Sequence, residues 1–390
     1  MCYRSQVLEG SIWAISVGVS PGRFAIMMYR ARVLYYKLQR FYARARHQGY
    51  GRFSVFAQRL PLAVLGKFYK GFAVFANGQI VNKLINFPRF RKYYGSYTDN
   101  MENIFYLIVM PNTLHFLNPC LRLINRKVNI CLLFNGAKQW ERNFIKTHFP
   151  GLPSQRLIAL PGSSVSHSDV LNLLLQTNKN NFGVIDHDAY VFNDSVFEDL
   201  SFADNEFLIA YFYGYSKKAE MYFPLTHFLF FNTKIILDIM RRNNVDCRLY
   251  TKPPKRILRK LLEAGIKANV ALKDYHSFFD TLHLLYVVAC AEGWCTTILD
   301  VDDKNAILHV GGTSWSGRST KELIQVYTDL RFLELPCNRG LIKMYKKKIT
   351  KCQSSQELRK ILFRTKNVIP LLLDVDMIIS RLKTHPAVSS

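Results

Sequence analysis

Phe182-Gly183-Val184-Ile185-Asp186-His187-Asp188 is a short apolar run that stops abruptly on two carboxylates two positions apart. The apolar part reads as a buried strand, and in an extended chain positions i and i+2 face the same side. Two carboxylates on one side repel each other unless a cation lies between them, and oxygen donors of this kind suit Mg²⁺ or Mn²⁺. Asp-x-Asp alone recurs in ordinary acidic turns. Its position at a strand end, in a chain with only 28 acidic residues, is what points to a metal.

Outward from this run, short apolar stretches alternate with helical patterns from about residue 99. The strands expected are Ile104–Met110, Val128–Phe134, Arg156–Leu160, Phe182–Ile185, Phe207–Tyr213 and Phe228–Phe231. Thr113–Leu123, Gln139–His148 and Ser168–Leu175 fit amphipathic helices between them. Such alternation predicts an α/β fold with a mostly parallel sheet flanked by helices. Open sheets of that kind bind ligands beyond the carboxyl ends of their strands. There the sequence offers Pro111-Asn112, Asn135-Gly136, Pro161-Gly162-Ser163-Ser164 and the two aspartates, so Pro111, Asn112, Asn135 and Ser163 are candidate ligand-binding residues.

Three later segments add to the set. In Ile307-Leu308-His309-Val310-Gly311-Gly312-Thr313-Ser314 a short strand delivers a histidine, then two glycines that let backbone approach a ligand. Ser163 to Asn172 begins with hydroxyls and fits either a simple helix N-cap at Ser166 or Ser168 or a helix whose amides point at phosphate, with His167 and Asn172 then standing behind the direct ligand contacts. Phe278-Phe279-Asp280-Thr281 opens an apolar helix over Leu282–Ala291, which makes Asp280 either a helix cap or a proton acceptor. The aromatic-rich Phe223 to Thr233 reads mostly as core.

An apolar strand, an Asp-x-Asp, an acceptor region and then a His before Gly-Gly-x-Ser together resemble the glycosyltransferases of the GT-A fold, over roughly residues 99 to 318. The resemblance implies a GT-A-like, Rossmann-type sheet and transfer of a sugar from a nucleotide-sugar donor. It implies that Asp186, Asp188 and His309 hold Mn²⁺ or Mg²⁺, which grips the donor's diphosphate. Ser163 and His167 would border the nucleotide, and Asp280 would take the acceptor's proton. Asp280 stands alone where many relatives carry paired acids, so whether configuration is inverted or retained is left open. The acceptor expected is a glycan, a lipid or a protein, including a lipid-linked or cell-envelope glycan.

Composition sets the surroundings. With 49% hydrophobic and 14% aromatic residues in 390, the chain can bury a large core, which excludes disorder throughout. The formal net charge is +25, and residues 1–98 hold 16 of the 53 Lys+Arg against one acid, Glu9. That imbalance predicts a basic, mostly helical accessory segment over 1–98, a catalytic domain over 99–320 and a helical tail over 321–390 bearing the basic run Lys343 to Lys351. The segment from Leu60 to Phe87, apolar but punctuated by Lys67, Lys70 and Lys83, fits a helix lying on an anionic membrane or a basic subdomain packed on the protein. Eight cysteines without a Cys-x-x-Cys pair fit a reducing compartment, and no leader pattern opens the chain. The longest uncharged stretch, Asn103 to Leu121, is broken by prolines. The expected location is the cytoplasm, at the inner membrane face. Two other functions compete: a nucleotidyltransferase, which lacks its basic Gly-rich phosphate loop here, and a basic nucleic-acid-binding protein, which leaves the Asp-x-Asp strand unexplained.

Overall fold

The computed structural model describes residues 72–97, 101, 103–124, 128–160, 163–198, 200–267, 271–273, 278–299, 305–310, 319–349, 354–363 and 369–389. Residues 1–71, Pro161-Gly162, Gly311-Gly312 and Lys351 lie outside this set. The described residues divide into two compact units, one of 72–85 with 158–160 and 163–166, the other holding the rest.

The smaller unit is organised by Asn77, which is wholly buried. Its amide nitrogen donates to the Ser163 hydroxyl (2.9 Å) and the Ser164 carbonyl (3.0 Å), and its oxygen accepts from the Leu160 amide (2.8 Å). The Ser163 hydroxyl also donates to the Leu160 carbonyl at 2.6 Å, so it holds a local turn together.

The larger unit is built on a seven-stranded sheet. Its strands are β1 (Ile104–Val109), β2 (Ile130–Asn135), β3 (Ser154–Leu157), β4 (Phe182–Ile185), β6 (Glu206–Ala210), β9 (Phe228–Phe231) and β10 (Cys295–Ile298); β5 (Ala189–Val191), β7 (Tyr213–Ser216), β8 (Met221–Pro224) and β11 (Ile307–His309) form two small ribbons. The strand order is β10-β6-β9-β4-β1-β2-β3. Pairing is parallel from β4 through β1 and β2 to β3, and β9 runs antiparallel to both β4 and β6. Every residue of β1, β2, β4 and β9 is buried, as expected for strands covered on both faces. Gly183 sits opposite Phe105 on β1, and a Cβ there would come within 2.0 Å of the Phe105 ring. The glycine in the apolar run is thus what lets β4 lie against the aromatic layer.

Helices α1 (Phe87–Tyr97), α2 (Leu114–Ile124), α3 (Gln139–His148), α4 (His167–Thr177), α5 (Thr233–Asn243), α6 (Lys255–Glu263) and α7 (His283–Ala291) accompany the sheet. The later α8 (Ser319–Leu333), α9 (Ile342–Ile349), α10 (Ser355–Leu362) and α11 (Ile369–Thr384) share its core, with Tyr327, Phe332, Leu372 and Ile379 in one apolar cluster with Phe105, Leu107 and Phe116.

The strands at Phe182–Ile185 and Phe228–Phe231 and the helix at Gln139–His148 have the expected bounds, and two departures are physical. β3 begins and ends earlier than Arg156–Leu160 because its ladder with β2 runs from Leu132↔Ser154 to Asn135↔Leu157 and stops where β2 stops. β6 ends at Ala210, and Tyr213 opens the β7–β8 ribbon instead.

Candidate metal centre

Two ladders assemble the centre. β4 ends at Ile185, which pairs with Phe228, so the next residue on each strand, Asp186 and His227, face each other; the Asp186 amide donates to the His227 carbonyl at 2.9 Å. Beyond β4 the chain makes a tight turn, with the Ala189 amide donating to the Asp186 carbonyl at 3.0 Å. Asp186 and Asp188 are therefore brought together by a turn and not by the extended geometry expected of the Asp-x-Asp. The turn leads into β5, which pairs antiparallel with β11 so that His309 lies opposite Ala189, and the Val310 amide donates to the Asp188 carbonyl at 3.1 Å.

The side chains meet accordingly. His227 Nδ1 donates to Asp186 Oδ2 at 3.0 Å, and His309 Nε2 lies 3.3 Å from Asp188 Oδ1. The two imidazoles stack, with centroids 3.5 Å apart and planes 16° off parallel. One ligand atom from each of Asp186, His227 and His309 falls within 4.8 Å of the others. In an octahedron with bonds of about 2.1 Å, ligands lie about 3 to 4 Å apart, so these residues fit a divalent cation after a small contraction. Carboxylate oxygen with imidazole nitrogen is also a donor set such ions accept.

The field of the site is visible in its titrating groups. Burial pushes Asp186 up, but the hydrogen bond from His227 and the nearby His167 outweigh it and hold the carboxyl below its usual value. Burial pulls His309 down, and Asp188 with Asp186 more than reverses this, so its imidazole titrates above the ordinary value. Beneath the pair, Cys120 donates to the Ala189 carbonyl at 3.2 Å; burial and both aspartates push its thiol up, which leaves it inert.

His167, the first residue of α4, reaches the same strand edge, where it feels Asp186, Asp280, His227 and Lys273. Burial lowers its pKa and keeps the ring neutral, and its buried Nε2 has no hydrogen-bond partner among the described residues. Asp280 is not the cap of the helix that follows, whose N-cap position is Leu282 at a φ of 71°. Its carboxylate instead accepts from the Thr281 amide (2.8 Å) and from Lys273 Nζ (2.5 Å), and despite burial those contacts hold it below the usual carboxylate range. Asn112 takes a φ of 64° after β1; its amide donates to Glu141 Oε1 (2.5 Å) and its side-chain oxygen accepts from Lys138 Nζ (2.8 Å), beside half-buried Pro111. Asn135 is the buried last residue of β2. Asn172, further along α4, accepts from the Cys247 amide at 3.0 Å.

Sequence reasoning placed His227 in an aromatic core segment. Phe228–Phe231 is core, but His227 is the residue just before it and belongs to the centre. Its signal was a histidine directly preceding a fully apolar strand. A separate cleft of about 570 Å³, lined by Gln176, Arg241 and Tyr250 among others, takes in the far end of α4 from His167.

Comparison with known proteins adds the class. Residues 83–236 match the family model described as the StrH glycosyltransferase N-terminal domain, a span that includes His167, Asp186, Asp188 and His227 and ends before Asp280 and His309. No curated protein matches the chain. Among solved structures it is similar to the mannosyltransferase PcManGT from Pyrobaculum calidifontis, solved with GDP-Man and Mn²⁺ (9% identity, 82% of this chain and 88% of that one, TM-score 0.35). It is similar to the glycosyltransferase GlyE of Streptococcus pneumoniae (11%, 64% of each chain, TM-score 0.35). It also resembles a variant of LgtC (15%, 34% of this chain, TM-score 0.27), of which it spans 57% of the length. Over residues 83–236 the chain is thus similar to a glycosyltransferase domain, and the fold that carries this stretch is a mostly parallel sheet flanked by helices.

Proposed function

We propose that the chain transfers a glycosyl group from a nucleotide-sugar donor to an acceptor hydroxyl, at a centre where Asp186, Asp188 and His309 hold Mn²⁺ or Mg²⁺. The observation that carries this is the convergence of two separate ladders on one point, which brings Asp186 beside His227 and Asp188 beside His309 at the end of β4. Breaking a sugar–phosphate bond leaves negative charge on the departing diphosphate, and a cation bound here would supply charge stabilisation in place of a general acid.

The chain's own groups do the rest. The acceptor oxygen attacks the anomeric carbon, the bond to the diphosphate breaks with its electron pair going to phosphate oxygen, and the acceptor's proton passes to the Asp280 carboxylate. Lys273 holds that carboxylate in place. His167, neutral and with an unpartnered Nε2, offers a hydrogen bond to the donor. Pro111, Asn112 and Asn135, at the ends of β1 and β2, border the nucleotide.

The reading extends to location. Among the described residues no helix is long and apolar enough to cross a membrane. The excess of basic residues over 1–98 supports attachment to the anionic cytoplasmic face, each basic residue near the surface contributing on the order of 1 kcal/mol. A lipid-linked or cell-envelope glycan acceptor fits that location. Flotation of the full chain with anionic vesicles, lost in 0.5 M salt and absent with neutral vesicles, is the expected result; equal recovery with neutral vesicles contradicts the membrane role.

The activity is tested by incubating the protein with Mn²⁺ and a panel of labelled sugar nucleotides. Release of a nucleoside diphosphate together with a glycosylated acceptor or free sugar is expected. Release of pyrophosphate would make the chain a nucleotidyltransferase instead.

A further inference from the structure

We infer that His227 is a second imidazole ligand of the cation, and that the resulting two-histidine centre selects Mn²⁺ over Mg²⁺. This rests on the sugar-transfer reading only for the presence of a cation; the ligand and the selectivity come from the geometry of β9.

His227 is fixed by backbone. Its carbonyl accepts from the Asp186 amide, and the residue after it, Phe228, is locked opposite Ile185 in a ladder whose side chains are wholly buried. The imidazole therefore stays at the tip of β4 whichever way the ring turns. Its ring is held on two sides, by the Asp186 carboxylate at 3.0 Å and by the stacked ring of His309. Phe212 meets both rings edge-on, with centroids 5.5 Å from His227 and 6.0 Å from His309, and so forms a shared apolar wall. The stacking aligns the two rings, and one nitrogen of each lies with an Asp186 oxygen within 4.8 Å of the others, so a single cation placed there would meet both imidazoles.

Donor chemistry then decides the ion. Mg²⁺ demands near-ideal octahedral oxygen ligation and keeps its waters, whereas imidazole nitrogen suits the transition ions. A centre of Asp186, Asp188 and His309 alone is mostly oxygen and tolerates either ion. Adding His227 makes half of the four protein ligands nitrogen, which moves the preference to Mn²⁺.

Pulsed electron paramagnetic resonance of the full-length protein with one equivalent of Mn²⁺ reads this directly through nitrogen couplings. Two coupled imidazoles in the wild type, falling to one in His309→Gln and to one in His227→Gln, are expected. In competition titrations, wild type should hold Mn²⁺ at least about 10-fold more tightly than His227→Gln does, while Mg²⁺ affinity changes by less than about 3-fold. Because the wild-type spectrum counts ligands without any substitution, misfolding of a variant leaves the question answerable. One coupled nitrogen in the wild type, or unchanged Mn²⁺ affinity in a folded His227→Gln while Asp186→Asn and His309→Gln lose it, overturns the inference and leaves the transferase reading standing. Absence of Mn²⁺ binding by the wild type overturns both.

Discussion

Acidic residues are treated in two different ways in this molecule. In the C-terminal helices Asp376 accepts from the Tyr327 hydroxyl (2.6 Å), Arg331 Nε (3.1 Å) and Arg359 Nε (2.9 Å), and despite burial those donors hold it below its usual value. Glu292 is likewise met by Lys260 and Arg242. At the tip of β4, by contrast, Asp186 and Asp188 are met by imidazoles, whose charge is optional and whose nitrogens are metal ligands. In a chain with 53 Lys and Arg, a fixed cation is easily recruited wherever a carboxylate serves only the fold. On the proposed reading the contrast sets the cation-binding acids at the tip of β4 apart from the ion-paired ones, Asp280 with its Lys273 among them.

Neutralising each kind of acid should give opposite results. Asp186→Asn or Asp188→Asn should lower turnover by roughly 100- to 1000-fold, the equivalent of about 3 to 4 kcal/mol of lost charge stabilisation. In the metal-free protein the imidazole contacts favour the charged acids while Asp188 repels Asp186, so the two effects largely offset and the melting temperature should move little beside the loss of turnover. Loss of both stability and activity in step would make these acids structural. Next, Asp280→Asn should reduce kcat by about 100-fold while leaving binding of the nucleoside diphosphate intact, the pattern of a lost proton acceptor. An unchanged kcat confines Asp280 to its contact with Lys273.

Gly183→Ala probes how Asp186 is aimed. The added Cβ must displace the Phe105 ring, so overpacking should cost about 1 to 3 kcal/mol and lower the thermal midpoint, with some loss of turnover as β4 shifts. Asp376→Asn should cost least, about 1 kcal/mol after allowance for its partial exposure, with turnover unchanged. Its folded pKa lies below the unfolded value, so the stability it adds is present above about pH 4 and fades as pH falls through the folded value. The stability difference between wild type and Asp376→Asn should therefore shrink in acid, as denaturant melts at pH 7 and pH 3 will show.

The sheet could be read from sequence because its central strands are unusually plain. Phe182–Ile185 and Phe228–Phe231 are uninterrupted apolar runs, and Gln139–His148 has a helical period stopped by Pro150-Gly151. The site was legible as residue types: His309 lies beside Asp188, and one ligand atom of His309 comes within 4.8 Å of one of Asp186. His227 was not, because a strand buried on both faces carries no mark of its direction, and only the antiparallel pairing of β9 with β4 turns the residue before Phe228 into a neighbour of Asp186. The turn at Asp186 to Ala189 escaped notice for a related reason. It is fixed by the three-residue ladder between β5 and β11, too short to leave a periodic signal and formed by segments more than a hundred residues apart.

The central claim is that a cation held at the tip of β4 carries the donor's diphosphate. Thermal melting of wild type and Asp188→Ala with UDP or GDP, each with and without Mn²⁺, tests it most directly. The account predicts that one nucleotide raises the midpoint of the wild type only when Mn²⁺ is present, and that Asp188→Ala abolishes the rise. Equal stabilisation without the metal, or its persistence in Asp188→Ala, would contradict it.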